Sequence, residues 1–223
     1  MRTAEINNGI LKETKSNIGA EALHSSNSKI KFFYNRFIFL YPLVDVFLSP
    51  QKRKLVKTIN QLPAGNVLEI GIGTGSHIAH YKKHSVTGID VSDRSIEKAK
   101  CRKANTETKL LVMDGELLLF TDSTFDVVVI CHVIAVTNDP EKMLRESLRV
   151  LKNGGMLFIL NHETPDNFLK YMDKFFSLFS RLLRFSSVFK LNQLKELRSF
   201  EVFREEKTGF ADYFKLLTLK KSA

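Results

Sequence analysis

Residues 67–75 read Val-Leu-Glu-Ile-Gly-Ile-Gly-Thr-Gly, a short apolar run followed by glycines at alternate positions. The apolar part, residues 67–70, predicts a buried β-strand. The glycines after it let the backbone turn sharply and approach a ligand closely. Their G-x-G-x-G spacing differs from the G-x-G-x-x-G of dinucleotide binders. Taken alone, the pattern fits an ordinary tight turn as well as a ligand site, so the neighbouring sequence has to decide.

Strand and helix patterns alternate after this stretch. The predicted strands are 86–90, 109–113, 125–131 and 156–160, and two closing strands are predicted at 200–207 and 213–219. The predicted helices are 75–84, 95–102, for which Ser92 is the expected N-cap, and 141–151, with a turn at 152–155. This alternation predicts a parallel sheet covered by helices on both faces. Ligands of such sheets bind beyond the carboxyl ends of the strands, where we expect the functional residues.

Acidic residues follow two of these strands. Asp90 ends the second strand, nineteen residues after Gly71, where a carboxylate can accept hydrogen bonds from two ribose hydroxyls. A turn or helix-start carboxylate is the alternative interpretation of Asp90. After the third strand, Asp114 could accept from an adenine amino group, and Met113 could pack against the ring.

Four segments resemble class I S-adenosylmethionine-dependent methyltransferases, in the order and spacing of that family. They are EIGIGTG (69–75), VTGIDVS (86–92), VMDGELLLFTDSTFDVVV (112–129) and LRVLKNGGMLF (148–158). The resemblance covers residues 61–160 and implies an α/β fold. That fold is a Rossmann-like three-layer sandwich with a mostly parallel seven-stranded sheet and an antiparallel final strand. Asn153 and Leu119 stand where the family more often has proline, in turns that Asn or Leu can also form.

The resemblance also implies the cofactor, S-adenosyl-L-methionine, and the residues that contact it. It assigns Glu69, Gly71, Gly73 and Gly75 to the methionine part, Asp90 with the adjacent Val91 to the ribose, Met113, Asp114 and Gly115 to the adenine, and Cys131 or His132 to the neighbourhood of the sulfonium.

Methyl transfer mainly requires alignment of the acceptor and exclusion of water, and a base matters when the acceptor is an amine that must be neutral to attack. The candidate bases are His132, His162, Glu163, Tyr34 and Tyr41. Either His132 or His162 could instead be a polar edge residue bonded to backbone. The other expectations are ordinary helix positions for His77, His80 and His84, and no metal site.

A narrower resemblance concerns the acceptor. Tyr34-Asn35-Arg36, the segment 127–144 and Leu160-Asn161-His162-Glu163 are similar to soluble bacterial phosphatidylethanolamine N-methyltransferases, which implies N-methylation of a phospholipid headgroup. One alternative is C- or O-methylation of a quinone precursor or another small metabolite. The other is a non-catalytic cofactor-binding protein. Residues 131–134 lack the Asn/Asp-Pro-Pro-aromatic segment of many base-methylating enzymes, which argues against a nucleic-acid acceptor.

The net charge of +10 lies in the flanks of the chain. Residues 1–60 carry ten Lys/Arg and four Asp/Glu, residues 61–165 twelve and thirteen, and residues 166–223 twelve and seven. The basic, aromatic segment 168–189 predicts either a helix in the interface of an anionic membrane or a lid helix packed on the sheet. The cluster Lys52-Arg53-Lys54 predicts a solvated helix face.

These patterns predict a flexible segment at 1–28 and one methyltransferase domain at 29–223. Within that domain we expect an N-terminal helical lid at 29–60, a cofactor-binding core at 61–165, and substrate lid helices with a closing hairpin at 166–223. Two cysteines without metal-ligand spacing, together with the absence of a signal-peptide pattern, predict a cytoplasmic protein. The basic flanks favour peripheral contact with the inner membrane face.

Overall fold

The computed structural model describes residues 41–162, 193–209 and 214–222. The predictions for residues 1–40 and 168–189 lie outside these ranges. The elements in chain order are α1 (Tyr41–Ile59), β1 (Asn66–Ile70), a 3₁₀ turn (Ile78–His80), β2 (Ser85–Asp90), α2 (Asp93–Lys100), β3 (Thr108–Val112), β4 (Phe125–Cys131), α3 (Pro140–Val150), β5 (Leu151–His162), a second 3₁₀ turn (Lys195–Ser199), β6 (Phe200–Thr208) and β7 (Phe214–Lys221).

The strands form a seven-stranded sheet in the order β3-β2-β1-β4-β5-β7-β6. The pairs from β3 to β5 are parallel, and β7 is antiparallel to both β5 and β6. The predicted fold class is therefore confirmed. The strand order reverses beside β1, between β1 and β4, and this switch point is where open α/β sheets bind their ligands.

Alternation along β4 divides the core into two layers. Val127, Val129 and Cys131 face one cluster, which includes residues of α1. Val128 and Ile130 face the other, which includes residues of α3. Successive side chains of a strand point to opposite faces, so a continuous apolar run such as FDVVVIC marks a strand that is covered on both sides.

The helix predicted at 75–84 is wrong, because only the 3₁₀ turn at Ile78–His80 forms there. Backbone groups that a helix would use are bonded to side chains from elsewhere. The Asn60 side chain donates to the His80 carbonyl (2.8 Å) and accepts from the Lys82 N–H (3.1 Å). The Asn105 side chain donates to the Ala79 carbonyl (2.6 Å). These long-range bonds provide partners for the backbone carbonyl and N–H groups of the segment, so it does not need helical hydrogen bonds.

Most other boundaries agree with the sequence to within two residues, but β5 begins at Leu151, five residues before the predicted start. Ser92 caps α2 as predicted, since its hydroxyl accepts from the Ser95 N–H at 3.1 Å. The turn predicted at 152–155 lies within the bounds of β5, at a shift in the β4–β5 register between Phe125 and Val127. Within the described ranges, no helix is long and apolar enough to span a lipid bilayer.

Arg149, near the end of α3, organises the loop that leads into β4. Its guanidinium donates to the carbonyls of Leu118 and Phe120, both at 2.8 Å, and to the carboxylates of Glu146 and Asp122. These acceptors hold the pKa of Arg149 above its usual range. The side chain is 22% exposed, so most of this network is shielded from water.

Replacing Arg149 with Gln should lower the free energy of unfolding by about 2–4 kcal/mol, because hydrogen bonds to charged groups contribute about 1.5–3 kcal/mol each. Urea unfolding measures this change. Arg145→Gln on the same helix is the matched control. That side chain is 52% exposed and pairs with Glu196 and Asp139 at 3.2 and 3.9 Å, so its loss should cost less than about 1 kcal/mol. Equal losses for the two variants would contradict the role given to Arg149.

Candidate functional site

The glycine turn after β1 folds back over the end of β2. Gly71, Gly73 and Gly75 have φ angles of +79°, +58° and +67°, a region that side chains with a Cβ rarely adopt. The N–H groups of Gly71 and Ile72 both donate to the Ile89 carbonyl, at 2.8 and 3.0 Å. The turn therefore lies against the carboxyl end of β2, where Asp90 begins the next loop.

Asp90 ties this turn to the start of α2. Its Oδ2 accepts from the Gly73 N–H at 3.0 Å, and its Oδ1 accepts from the Ser92 N–H at 2.9 Å. Burial raises the pKa of Asp90, although both N–H groups and the charge of Lys52 oppose the rise. A carboxylate has about four acceptor positions, so two remain for the hydroxyls of a ribose. Val91 lies between the two anchored residues and is half-buried.

Lys52 corrects the expectation of a solvated face at residues 52–54. It is only 3% exposed, whereas Arg53 and Lys54 are exposed. α1 packs on the sheet through Leu55, Val56 and Ile59, and Lys52 lies on the packed side of the helix. The charge of Lys52 acts on Asp90, where it opposes the rise in the pKa of that carboxyl. The helical spacing of Lys52 with Leu55, Val56 and Ile59 already indicated the packed side, but the three basic residues were interpreted together as one solvated face.

Glu69 lies beneath the glycine turn and is fully buried. Its Oε1 contacts His77 Nε2, and its Oε2 accepts from the Tyr81 hydroxyl at 2.9 Å. Burial and the neighbouring Glu69 charge raise the pKa of Tyr81 well above its usual value. His77 is 3% exposed, so the expectation of an ordinary helix position for it is wrong. The useful sequence signal was Glu69 itself, since a carboxylate within a buried strand requires partners.

His84 and His80 also depart from ordinary helix positions, because the helix that was to carry them does not form. His84 is 1% exposed, and its Nε2 lies 3.0 Å from the Ile59 carbonyl oxygen. His80 is half-buried in the 3₁₀ turn, where burial and the charge of Arg53 lower its pKa. Both rings therefore belong to the junction with α1.

The loop after β3 reaches the same edge of the sheet. The Met113 N–H donates to the Asp90 carbonyl at 3.1 Å, and Asp114 Oδ1 accepts from the Glu116 N–H at 2.9 Å. A Cβ on Gly115 would lie 2.6 Å from Ile70 Cγ2, so only glycine lets the loop pass this close to β1. The structure thus brings together the glycine turn, Asp90 and residues 113–115, as the sequence predicted.

Cys131 and His132 separate at the end of β4. Cys131 is buried in the cluster beneath α1, together with Tyr81. His132 begins the following loop with φ +58°, and its N–H donates to the Leu160 carbonyl at 2.8 Å. A left-handed conformation in a residue other than glycine costs free energy and is often found at functional sites. The His132 ring packs edge-on against Phe214, with ring centroids 5.5 Å apart.

Val133 brings this loop to the glycine turn, since its Cγ2 lies 1.9 Å from the place that a Cβ on Gly71 would occupy. His132 is therefore near the switch point between β1 and β4. His162 ends β5, opposite Phe214 in the β5–β7 register, and Tyr41 begins α1; only the backbone of these two residues is described. Tyr34 and Glu163 lie outside the described residues. In the described part of the chain, no three His, Cys, Asp or Glu side chains are grouped to hold a metal ion.

Comparisons with known proteins identify the same core. A family model described as "Methyltransferase domain" matches residues 68–159. A phosphatidylethanolamine N-methyltransferase of Cereibacter sphaeroides is 32% identical over 168 residues, covering 72% of this chain and 82% of that protein. A ubiquinone/menaquinone biosynthesis C-methyltransferase of Geobacter sp. (strain M21) is 31% identical over 217 residues, covering 86% and 92%. A Thermotoga maritima structure, titled an SAM-dependent methyltransferase and possible histamine N-methyltransferase, matches with a TM-score of 0.67 at 25% identity, covering 85% and 98%.

Replacing Asp90 with Ala should weaken binding of S-adenosyl-L-methionine at least about tenfold, because each hydrogen bond to a charged group contributes about 1.5–3 kcal/mol. Isothermal titration calorimetry measures the affinity. Burial raises the pKa of Asp90, so its carboxylate should protonate at a higher pH than an ordinary aspartate does. As the pH is lowered, the wild-type affinity should therefore begin to fall at that higher pH. Asp93→Ala, in the first turn of α2, is the control and should bind normally. Unchanged affinity in a folded Asp90→Ala protein would refute this assignment.

Replacing Gly73 with Val should abolish cofactor binding, because a branched side chain would stand where the backbone approaches the ligand. Gly154→Val separates this effect from backbone strain. Gly154 has a φ of +72°, and no heavy atom lies within 4 Å of its would-be Cβ, so that variant carries the strain away from the site. Calorimetry at a temperature where both variants are folded is decisive. Equal cofactor affinities would show that Gly73 only forms a turn.

Proposed function

Since the chain belongs to the class I S-adenosylmethionine-dependent methyltransferases, we propose that it methylates the amine of a phospholipid headgroup such as phosphatidylethanolamine. Methyl transfer and the cofactor follow from the family. The observation that carries the acceptor is the 32% identity to a phosphatidylethanolamine N-methyltransferase across 82% of that protein.

The residues beyond β1, β2 and β3 fit the cofactor. Asp90 keeps acceptor positions for the ribose beyond its two backbone bonds. Gly73 offers close backbone approach for the methionine part, Gly71 lets Val133 pack against the turn, and Met113 and Asp114 lie beside Asp90 for the adenine. When bound, the cofactor supplies a methyl group already activated by its positive sulfur. The chain therefore has to orient the acceptor, exclude water and manage one proton.

His132 is the residue we assign to that proton. An ammonium group must lose a proton before its nitrogen can attack, and an imidazole nitrogen can accept that proton. The bond from the His132 N–H to Leu160 and the packing against Phe214 hold the ring at the end of β4. His162, at the end of the neighbouring strand β5, is the second candidate. Tyr34 and Tyr41 remain candidates from the sequence resemblance alone.

The charge distribution supports an acceptor at a membrane surface. The flanks carry the excess positive charge, while residues 61–165 are close to neutral. An anionic lipid surface attracts basic segments by about 1 kcal/mol per Lys or Arg, which would concentrate the protein where a headgroup acceptor lies.

The direct test supplies vesicles containing phosphatidylethanolamine together with methyl-labelled cofactor. We expect mono-, di- or trimethylated phosphatidylethanolamine by lipid mass spectrometry, and much less with Asp90→Ala when the cofactor concentration is near the wild-type Kd. Cells with and without the gene should differ in the same lipids. Labelled cofactor turned over on another acceptor, with no labelled phospholipid, would exclude the phospholipid proposal while preserving the family activity.

C-methylation of a quinone precursor is the second candidate. It is favoured by the 31% identity to a quinone-biosynthesis C-methyltransferase, which covers 92% of that protein. Demethylated quinone precursors therefore belong in the same assay as a separate acceptor. Label on carbon in the quinone fraction would support this candidate, and label on nitrogen in the lipid fraction would support the first.

The protein should bind anionic vesicles strongly at low salt and clearly less at higher salt, because surface charge is screened within a Debye length. Replacing Lys170, Lys174, Arg181 and Arg184 with Gln should weaken vesicle binding and leave cofactor affinity unchanged. The matched control removes four charges elsewhere, from the exposed residues Lys98, Lys100, Arg102 and Lys103. Co-sedimentation at two salt concentrations measures both variants. If the wild-type protein ignores anionic vesicles at low salt, membrane attraction is wrong and the quinone candidate takes precedence.

A further inference from the structure

Glu116 is a buried carboxylate that holds another loop. It is 8% exposed, and its Oε1 accepts three hydrogen bonds from consecutive residues. The donors are the Thr137 hydroxyl at 2.5 Å, the Asn138 N–H at 2.8 Å and the Asp139 N–H at 3.0 Å. Bonds to an ionised acceptor are stronger than bonds between neutral groups, so this contact fixes the end of the loop at 132–139.

This contact joins loops that follow two separated strands. Glu116 belongs to the loop after β3, whereas residues 132–139 follow β4, and β2 and β1 lie between those strands in the sheet. Gly115 makes the approach possible, because its missing Cβ leaves room beside Ile70 and Met143. One side chain therefore bridges the two sides of the switch point.

Each loop carries residues of the candidate site. On the β3 side, the Glu116 N–H donates to Asp114, and Met113 bonds to the Asp90 backbone. On the β4 side, the loop begins at His132. A turn follows within this loop, because the N–H groups of Val136 and Thr137 both donate to the Val133 carbonyl, at 2.9 and 3.1 Å. Movement of residues 113–116 would therefore pass through Glu116 to the loop that contains His132.

We propose that Glu116 is a positioning residue that links cofactor binding at residues 113–116 to the order of the loop at 132–139. Helix formation does not require this bond, because Asp139 already caps α3 by accepting from the Lys142 N–H at 2.9 Å. If cofactor binding stabilises the loop, the ordered loop stabilises the bound cofactor by the same factor. The acceptor then meets a more ordered loop once the cofactor has bound.

Amide hydrogen exchange of the folded protein tests this link without any acceptor, using S-adenosylhomocysteine as the cofactor-site probe. In the wild type, saturating probe should slow exchange of the Asn138 and Asp139 amides at least about fivefold, the lower end of typical coupling between sites. In Glu116→Ala these amides should exchange faster, and the probe should no longer slow them. Glu116→Gln should be intermediate, because its amide oxygen still accepts hydrogen bonds.

Glu141→Ala is the matched control, because it removes the carboxylate acceptor as Glu116→Ala does. Glu141 also accepts two backbone N–H groups, from Lys195 at 2.7 Å and Glu196 at 3.0 Å, so it holds the 3₁₀ turn before β6 rather than the loop at 132–139. That variant should keep the full response of Asn138 and Asp139 to the probe, even if its unfolding temperature falls. A loss of the response in both variants would show general loosening and overturn the specific role of Glu116.

If Glu116→Ala does not fold, Thr137→Val is the replacement variant, since it removes only the hydroxyl that donates to Glu116. It should reduce the response of the two amides to the probe. The proposal is overturned if the probe leaves the exchange of these amides unchanged in the wild type. It is also overturned if every folded variant at Glu116 and Thr137 responds to the probe as the wild type does. The result does not depend on the acceptor, so a failed lipid assay would leave this inference standing.

Discussion

The Asp90 carboxylate is the contact on which the site depends. One oxygen holds the Gly73 N–H of the glycine turn, and the other holds the Ser92 N–H at the start of α2. The loop after β1 is thereby joined to the loop after β2 through one buried charge. Burial makes that charge costly, and the surrounding N–H groups and Lys52 offset the cost. A ligand that adds hydroxyl donors to this carboxylate would stabilise the arrangement further.

Glu69 provides the corresponding support beneath the glycine turn. A carboxylate with no exposure requires hydrogen-bond donors, and His77 and Tyr81 lie close to its two oxygens. Together with Asn60, these contacts hold residues 77–82 in place of a regular helix. Three carboxylates, the buried Glu69 and Glu116 and the half-buried Asp90, thus connect separate loops at this edge of the sheet. The cost of burying charge makes each connection specific, because an alternative packing would leave a charge unpaired.

Much of the fold was predictable because its signals are local. The continuous apolar run of β4 identified a strand covered on both faces. Ser92 identified the start of α2, since capping depends only on residues three positions apart. The glycines with positive φ marked the turn, and Asp90 and Asp114 followed their strands at the shared edge. The helix at 75–84 failed because propensity could not include the side chains of Asn60 and Asn105, which capture its backbone from a distance.

The sequence by itself determined the class of fold and the strand ends at which the candidate site residues lie, because periodicity, capping and turn chemistry act between near neighbours. The family followed from the resemblance of four segments to known methyltransferases. Only the tertiary structure decided how completely Lys52 is covered where α1 packs on the sheet. It also decided that His77 pairs with Glu69 and that Glu116 holds Thr137, twenty-one residues along the chain. Such partners are chosen by the packing of whole elements on the sheet, and a buried charge then admits only the donors that this packing brings within reach.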